Sequence, residues 1–343
     1  MKTGAASRSF PITRGVKQGD PISALLFIAV MQQCFAELQS KWARLNARRQ
    51  GPKFGLNLNS QGMDLTNLRF ADDVILVAQS RSDVRKMLQD LSVAAAKYGL
   101  QIHFGKTRIM TWNHMAQPHT SICIDGKDVK ILDEEESERY LGRKFCFADS
   151  METELRNRIA SGWAAFHKHK GELCSKHYRL NDRIRLFDAV VTTAVLYASS
   201  TWALTQLQER DLTTARRRML RYVFQVHRGS DEDWVPFVQR AAQRVDSLAA
   251  NYQMEDWIQL YRKRKWKLAG RLARKTDDRW SRLTATWRPN DGHGRDRGAP
   301  CTRWSDQLET FAGGDWMTEA MDTDRWTSLD KVSANWDFAW KRH

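Results

Sequence analysis

Cysteine is scarce in this sequence, with five residues scattered among 343 and no C-x-x-C pair. An odd, dispersed set argues against a disulfide framework and a zinc knuckle, and it is typical of a reducing compartment. There is also no run of about 18 apolar residues and no signal-peptide core near the N-terminus. The sequence therefore predicts an intracellular protein, nuclear or cytoplasmic, without a membrane span.

Acidic residues are outnumbered by basic ones. The chain has 40 Asp and Glu against 55 Lys and Arg, a formal net charge of +15. This surplus favours nucleic acid as a partner because counterion release from phosphates drives binding, although an ordinary basic protein can have the same composition. A hydrophobic content of 42% excludes a disordered chain, and the length suits about two domains.

Two adjacent carboxylates, Asp72 and Asp73, stand between apolar runs that are typical of strands. The pattern predicts a strand–turn–strand junction with both acids at or near the turn. Paired acids are one way in which proteins hold Mg²⁺ together with substrate phosphates. A polar hairpin tip that binds nothing would have the same local sequence.

A helix is predicted upstream of these acids. Asp20 and Pro21 are a good N-cap and a good first helical residue, and a basic, glycine-containing loop precedes them. The apolar positions that follow predict a buried helix face; they are Leu25, Leu26, Ile28, Ala29, Met31, Phe35 and Leu38.

Downstream, residues 82–99 have helical spacing and end at Gly99. Residues 99–107 predict a turn and a strand that carries Lys106. The Asp125–Gly126 pair predicts a second hairpin.

Four segments resemble, in this order, the sequence blocks of the reverse transcriptases of non-LTR (LINE-like) retrotransposons. They are residues 14–27 (the family's RGVRQGDPLSPLLF), 70–73 (FADD), 99–107 (GLxINxxKT) and 140–142 (YLG). Further on, residues 186–202 resemble thumb-region helices, and residues 266–274 and 297–306 resemble a basic, Trp-containing tail. The ordered set is far more specific than any single block.

The resemblance implies a role for each matching residue. Asp72 and Asp73 would be two carboxylates of a polymerase site that binds two Mg²⁺ ions. The nucleotide and template contacts would be Gln18, Gly19, Phe70, Ala71 and Lys106. The primer grip would be Tyr140, Leu141 and Gly142.

The resemblance also implies a further aspartate on a strand upstream of Gln18. Only seventeen residues precede Gln18 here, and none is acidic. Asp20 is better interpreted as a helix cap. We therefore expect an incomplete metal site, in a chain that corresponds to the C-terminal part of the family's polymerase and is inactive or very weak alone.

The pattern changes near residue 150, where alternating strand and helix signals give way to helical segments at 152–170, 182–197, 209–227 and 235–272. We predict an α+β fold: a partial palm of antiparallel strands and packed helices (1–150, without fingers or first catalytic strand), a helical thumb (151–287), and a Gly/Pro-rich linker with a Trp-rich tail (288–343). The predicted thumb core contains Trp163, Trp202, Trp257 and Trp266.

A run of basic residues without an acid predicts contacts to a nucleic-acid backbone; it contains Arg262, Lys263, Arg264, Lys265 and Lys267. The same run could instead be a solvated helix face with Trp266 on the core side. A second basic helix, 216–221, is interpreted as amphipathic.

The predicted function is RNA-directed DNA synthesis from dNTPs, with an RNA template, a DNA primer or target, and Mg²⁺. Three alternatives stay open: a non-catalytic RNA- or DNA-binding remnant of a retroelement, a pseudogene product without selected function, and an intron-type maturase reverse transcriptase.

Overall fold

The computed structural model describes residues 15, 19–51, 53–58, 64–111, 120–275, 277, 279–287 and 303–334. Over these residues the protein is a mixed α/β structure in which helices predominate and the sheets are small, in agreement with the predicted fold class at this coarse level. The chain forms two compact units, residues 1–109 with 117–131 and residues 110–116 with 132–343. The boundary predicted at residue 150 thus falls inside the second unit.

The first unit contains two long helices and small sheets. In chain order its elements are α1 (Pro21–Ala47), β1 (Leu56–Asn57), β2 (Asp64–Leu65), β3 (Asn67–Phe70), β4 (Asp73–Leu76), α2 (Arg81–Lys97), a 3₁₀ turn (Phe104–Lys106), β5 (Arg108–Met110), β6 (Ser121–Ile124) and β7 (Lys127–Leu132). β1 pairs with β2, β3 pairs with β4, and β7 lies between β5 and β6.

Helix α1 begins as predicted, because the Asp20 carboxylate accepts a hydrogen bond from the Ile22 backbone N–H at 3.1 Å. Its C-terminal half is buried against α2 through residues such as Phe35 and Trp42. The prediction of a continuous buried face is wrong for the N-terminal half, where four apolar side chains are more than half exposed: Ile22, Leu25, Leu26 and Ile28. The helix extends beyond the part of its surface that α2 covers.

Helix α1 is also the one helix among the described residues that is long and apolar enough, by length and composition, to cross a bilayer. Core helices of soluble proteins meet the same criterion. The part of α1 around Phe35 and Trp42 belongs to a buried core.

The segment after α2 corrects one prediction. Gly99 ends the helix with a φ of 72°, as expected for a left-handed terminal residue. The strand predicted around Lys106 is absent, because Phe104 is buried in a core with Ile109 and the chain makes a 3₁₀ turn there. The Asp125–Gly126 hairpin is confirmed, with φ values of 50° and 75° that suit a two-residue turn.

The second unit begins with a hairpin and continues as helices. Its elements are β8 (Glu138–Tyr140), β9 (Arg143–Phe145), α3 (Ser150–Lys168), α4 (Lys170–Leu173), α5 (Leu180–Phe187), a π-helical turn (Asp188–Thr192), α6 (Thr193–Val195), a 3₁₀ turn (Ser199–Thr201), α7 (Gln206–Val223), α8 (Trp234–Asn251), α9 (Trp257–Ala273), α10 (Trp280–Thr286), α11 (Asp306–Ala312), α12 (Trp316–Glu319) and α13 (Thr323–Ala334). The predicted helix 235–272 is two helices, since the chain turns at Gln253, where φ is 54°.

Tryptophans build the cores of this unit. Trp202 and Trp257 are fully buried in the main cluster, and Trp163 packs against that cluster half-buried. Trp266 belongs to a second cluster with Trp316 and Trp326, so helices of the predicted tail pack on α9. The predicted linker 288–300 and the last two tryptophans, at 336 and 340, lie outside the described residues.

Candidate active site

Asp72 and Asp73 lie at the tip of an antiparallel hairpin. Phe70 pairs with Asp73, so Ala71 and Asp72 form the two-residue connection between β3 and β4. Ala71 has a φ of 53°, a left-handed conformation that costs a residue with a Cβ roughly 1–2 kcal/mol. All of these side chains are exposed. The hairpin thus presents two adjacent carboxylates to solvent, at the strand–turn–strand junction that the sequence predicted.

The hairpin has an unusual distribution of side chains. Leu68 and Phe70 face outward, with Phe70 63% exposed, whereas Arg69 between them faces α1. The Arg69 guanidinium donates to the Met31 backbone carbonyl at 3.4 Å and to the Gln32 side-chain oxygen at 3.1 Å.

Arg69 also lies over the ring of Phe35, 4.7 Å from its centroid. Burial lowers the pKa of Arg69, although an arginine remains charged at any physiological pH. Sequence reasoning missed this anchor. The available signal was the alternation of the strand, which sets Arg69 opposite to Leu68 and Phe70.

The two carboxylates are the donor type that Mg²⁺ prefers, and proteins often supply only one or two of them while substrate phosphates and water complete the shell. Asp72 and Asp73 fit that pattern. Within the described ranges there is no group of three or more candidate metal ligands. The site therefore offers two carboxylates, Asp72 and Asp73.

The other predicted nucleotide contacts lie elsewhere in the first unit. Gly19 precedes the N-cap of α1 with a φ of 93°, and Lys106 is an exposed residue at the end of the 3₁₀ turn. Neither forms a hydrogen bond or ion pair with Asp72 or Asp73 in the part of the chain that the structure describes. Gln18 lies outside that part.

The residues Tyr140, Leu141 and Gly142 belong to the β8–β9 turn of the second unit. Leu141 and Gly142 have φ values of 49° and 78°, and the Tyr197 hydroxyl donates to the Leu141 carbonyl at 2.9 Å. The Arg158 guanidinium donates to the Gly142 carbonyl. These contacts fix the turn on the helices of its own unit.

A buried ion pair supports the same turn. Arg158 contacts Glu154 at 2.9 Å, one helical turn away, and both side chains are at least nine-tenths buried. Glu154 also accepts a hydrogen bond from the Lys144 backbone at 2.8 Å. The i,i+4 spacing was visible in the sequence, but its burial was not.

Most of the basic run on α9 is engaged within the protein. Arg262 pairs with Glu209 at 2.8 Å, and Lys263 pairs with Glu255. Arg264 donates to a main-chain carbonyl at 2.6 Å. Charges held in this way are less available to phosphates than the sequence suggested.

Lys265 is a correction to the predicted nucleic-acid contacts. Its side chain is only 2% exposed, and its amine donates to the Trp202 carbonyl at 3.1 Å and to the Gln307 side chain at 2.7 Å. Burial lowers the pKa of Lys265 to about 7. Of the five predicted residues, Lys267 is the exposed one.

Comparisons with known proteins agree with the sequence blocks. Residues 1–145 match the family model described as reverse transcriptase (RNA-dependent DNA polymerase). A Caenorhabditis elegans protein described as transposon-derived is 32% identical over 284 residues, which cover 78% of this chain and 96% of that protein.

Two Pol polyproteins of R2 retrotransposable elements are also similar. That of Popillia japonica is 26% identical over 147 residues, and that of Drosophila melanogaster is 27% identical over 150 residues. Each match covers 41% of this chain but only 19% and 13%, respectively, of the polyproteins. The match to a reverse transcriptase model and the relatives from retrotransposable elements together show that the chain belongs to the reverse transcriptase family of non-LTR retrotransposons.

Proposed function

We propose that this chain takes part in RNA-templated DNA synthesis with Asp72 and Asp73 as its metal-binding carboxylates. The observation that carries the proposal is the β3–β4 hairpin, which presents both acids at an exposed tip. Arg69 holds the hairpin on α1, and the strained Ala71 fixes the turn. The exposed Phe70 lies beside the acids on the same tip.

In this proposal Asp72 and Asp73 hold Mg²⁺ through their carboxylate oxygens, while substrate phosphates and water supply the other ligands. The bound ion would neutralise charge on the phosphates and activate the primer 3′-hydroxyl. The protein's own part is to keep the two carboxylates adjacent and free of competing ion pairs. No salt bridge to either one occurs within the described segments.

The remaining predicted residues have supporting roles in the same proposal. Phe70 and Ala71 shape the surface at the primer end, and Lys106 faces the triphosphate of the incoming dNTP. Gln18 and Gly19 contact the nucleotide and the template base. The turn at Tyr140, Leu141 and Gly142 positions the DNA primer on the RNA template.

Metal binding by the full chain tests the first step without requiring turnover. Mn²⁺, a paramagnetic substitute for Mg²⁺, should broaden the backbone amide NMR signals of residues 70–73. Asp72→Asn with Asp73→Asn should remove the effect. Asp125→Asn is the matched control, because Asp125 also stands exposed in a two-residue hairpin turn. Equal broadening at both hairpins in the wild type would reject a specific metal site.

Primer extension tests the reaction itself. The assay contains an RNA template, an annealed DNA primer, dNTPs and Mg²⁺. Any primer extension by the full chain should fall about 100-fold or more in Asp72→Asn or Asp73→Asn, since the metal would supply most of the charge stabilisation. Asp125→Asn should leave it unchanged. Extension that persists in the double Asn variant would overturn the catalytic assignment.

A further inference from the structure

Helices α3 and α7 of the second unit bring aromatic and basic side chains together on one surface. On α3, Trp163 and His167 are spaced i, i+4 and share a face, and the exposed Lys170 follows as the first residue of α4. On α7, Arg218, Arg221 and Tyr222 share a face in the same way. We call these six residues the aromatic–basic surface.

Aromatic contacts join the two helices. The rings of Trp163 and Tyr222 meet edge to face, with centroids 6.4 Å apart, and Tyr222 also contacts Phe166 at 6.1 Å. His167 stacks on Trp163 at 5.7 Å. The Arg221 guanidinium lies 5.1 Å from the Tyr222 centroid. Despite these contacts Tyr222 remains 42% exposed, so the residue is accessible to a ligand.

The cations of this surface differ from their neighbours on α7. Arg216 and Arg217 are ion-paired, at 3.4 Å with Asp256 and at 2.6 Å with Asp246. Arg218 and Arg221 have no carboxylate partner among the described residues, and the same holds for Lys170. The surface therefore has positive charge that the fold does not neutralise.

The contrast with α9 decides which basic segment is better suited to phosphates. The sequence favoured the run on α9, but three of its five residues are engaged in pairs or main-chain hydrogen bonds and Lys265 is buried. On α7 the sequence indicated only an amphipathic helix. Burial of Met219 and Val223 turns the other side of that helix outward, which exposes Arg218 and Tyr222.

We propose that the aromatic–basic surface binds single-stranded nucleic acid. Lys170, Arg218 and Arg221 contact phosphates, and a base stacks on the exposed part of Tyr222, whose ring Trp163 packs against edge to face. Cations that follow a backbone, combined with an aromatic platform, are the usual chemistry of sequence-tolerant single-strand binding. This surface does not involve Asp72 or Asp73, so it adds a binding site to the proposed polymerase function.

Fluorescence anisotropy with a labelled single-stranded RNA of about 12 nucleotides tests the proposal on the full chain. The charge-reversing double variant, Arg218→Glu with Arg221→Glu, should weaken binding about tenfold or more. The neutral double variant, Arg218→Gln with Arg221→Gln, should make the plot of log K against log salt less steep by about 1.4, because two phosphate contacts are lost. The matched control is Arg210→Glu with Arg244→Glu, which changes the net charge of the same unit equally at two exposed arginines.

The aromatic platform has its own test. Tyr222→Ala should weaken binding to single-stranded RNA about tenfold, whereas Tyr222→Phe should not, since stacking needs the ring and not the hydroxyl. Binding to a duplex of the same sequence should respond little to Tyr222→Ala, because its bases are already stacked. Circular dichroism verifies that each variant is folded.

Two results would overturn the proposal: an equal loss of affinity in the control pair, which would indicate net charge alone, or wild-type affinity in Tyr222→Ala. Neither result affects the primer-extension test. Conversely, Asp72→Asn with Asp73→Asn should leave single-strand binding unchanged, so failure of the polymerase assignment can be told apart from failure of this one.

Discussion

At the scale of single residues, Lys265 is a lysine buried in the interior of the second unit. Its ammonium is nearly inaccessible to water and interacts with the Trp202 carbonyl, the Gln307 side chain and the ring of Trp304, whose centroid is 5.6 Å away. Burial lowers its pKa to about 7. The charge of this lysine is therefore a cost to folding at neutral pH.

The sign of this shift predicts how stability depends on pH. An unfolded lysine titrates near 10.4, so between about pH 7 and pH 10 the unfolded chain binds more protons than the folded one. The contribution of Lys265 to the free energy of unfolding should rise by up to about 1.4 kcal/mol per pH unit in that range. Urea unfolding at pH 7, 8 and 9 should show this rise in the wild type and not in Lys265→Met.

Lys267→Met is the matched control for this prediction, because Lys267 lies on the same helix and is exposed. It should keep the pH dependence of the wild type. If the free energy of unfolding changes with pH in the same way in the wild type and in Lys265→Met, Lys265 is not the source of the pH dependence.

At the scale of elements, α9 and α13 pack through two tryptophans. The rings of Trp266 and Trp326 stack with centroids 4.0 Å apart, and each indole N–H donates to the main-chain carbonyl of the other residue, at 2.9 Å and 3.1 Å. Gly270 makes this approach possible: a Cβ there would lie 2.8 Å from two atoms of the Trp326 indole.

Gly270→Ala should therefore destabilise the protein by about 1–3 kcal/mol, as overpacked cores do. Urea unfolding measures the loss, and near-UV circular dichroism should show the tryptophan pair disturbed. Gly171→Ala is the control, because α4 leaves open space at that position. If Gly270→Ala is as stable as the control, the stacked geometry is wrong.

The β3–β4 hairpin depends on an element-level contact as well. Arg69→Ala should loosen it, because two hydrogen bonds from a charged group to α1 are lost, with a decrease of about 1–3 kcal/mol in the free energy of unfolding. Amide exchange should become faster across residues 67–76, and Mn²⁺ broadening at residues 70–73 should weaken. Arg85→Ala, an exposed arginine on α2, should change none of these.

At the scale of the whole molecule, net charge determines association with nucleic acid. The protein has a formal charge of +15, so the logarithm of its binding constant for RNA should fall linearly with the logarithm of the salt concentration. Anisotropy titrations across a range of salt concentrations measure this slope. Asp72→Asn with Asp73→Asn should leave it nearly unchanged, and affinity that is independent of salt would contradict a phosphate-driven interaction.

Local patterns predicted local structure well. Asp20 caps α1, Asp72 and Asp73 stand at a hairpin tip, and Gly126 lies in a tight turn, because each depends on neighbours within a few residues. The strand expected near Lys106 failed because burial of Phe104, a tertiary event, favoured a turn. Periodicity cannot show which side chains a distant element will cover.

The sequence by itself determined the family, the adjacent carboxylates and the basic charge, since these are properties of residue type and order. Tertiary structure decided which charges remain available. It buried Lys265 and paired Arg262 with Glu209, yet left Arg218 and Arg221 without carboxylate partners within the described residues. It also turned Arg69 onto α1. Availability depends on partners far away in the sequence, and only the folded chain brings those partners together.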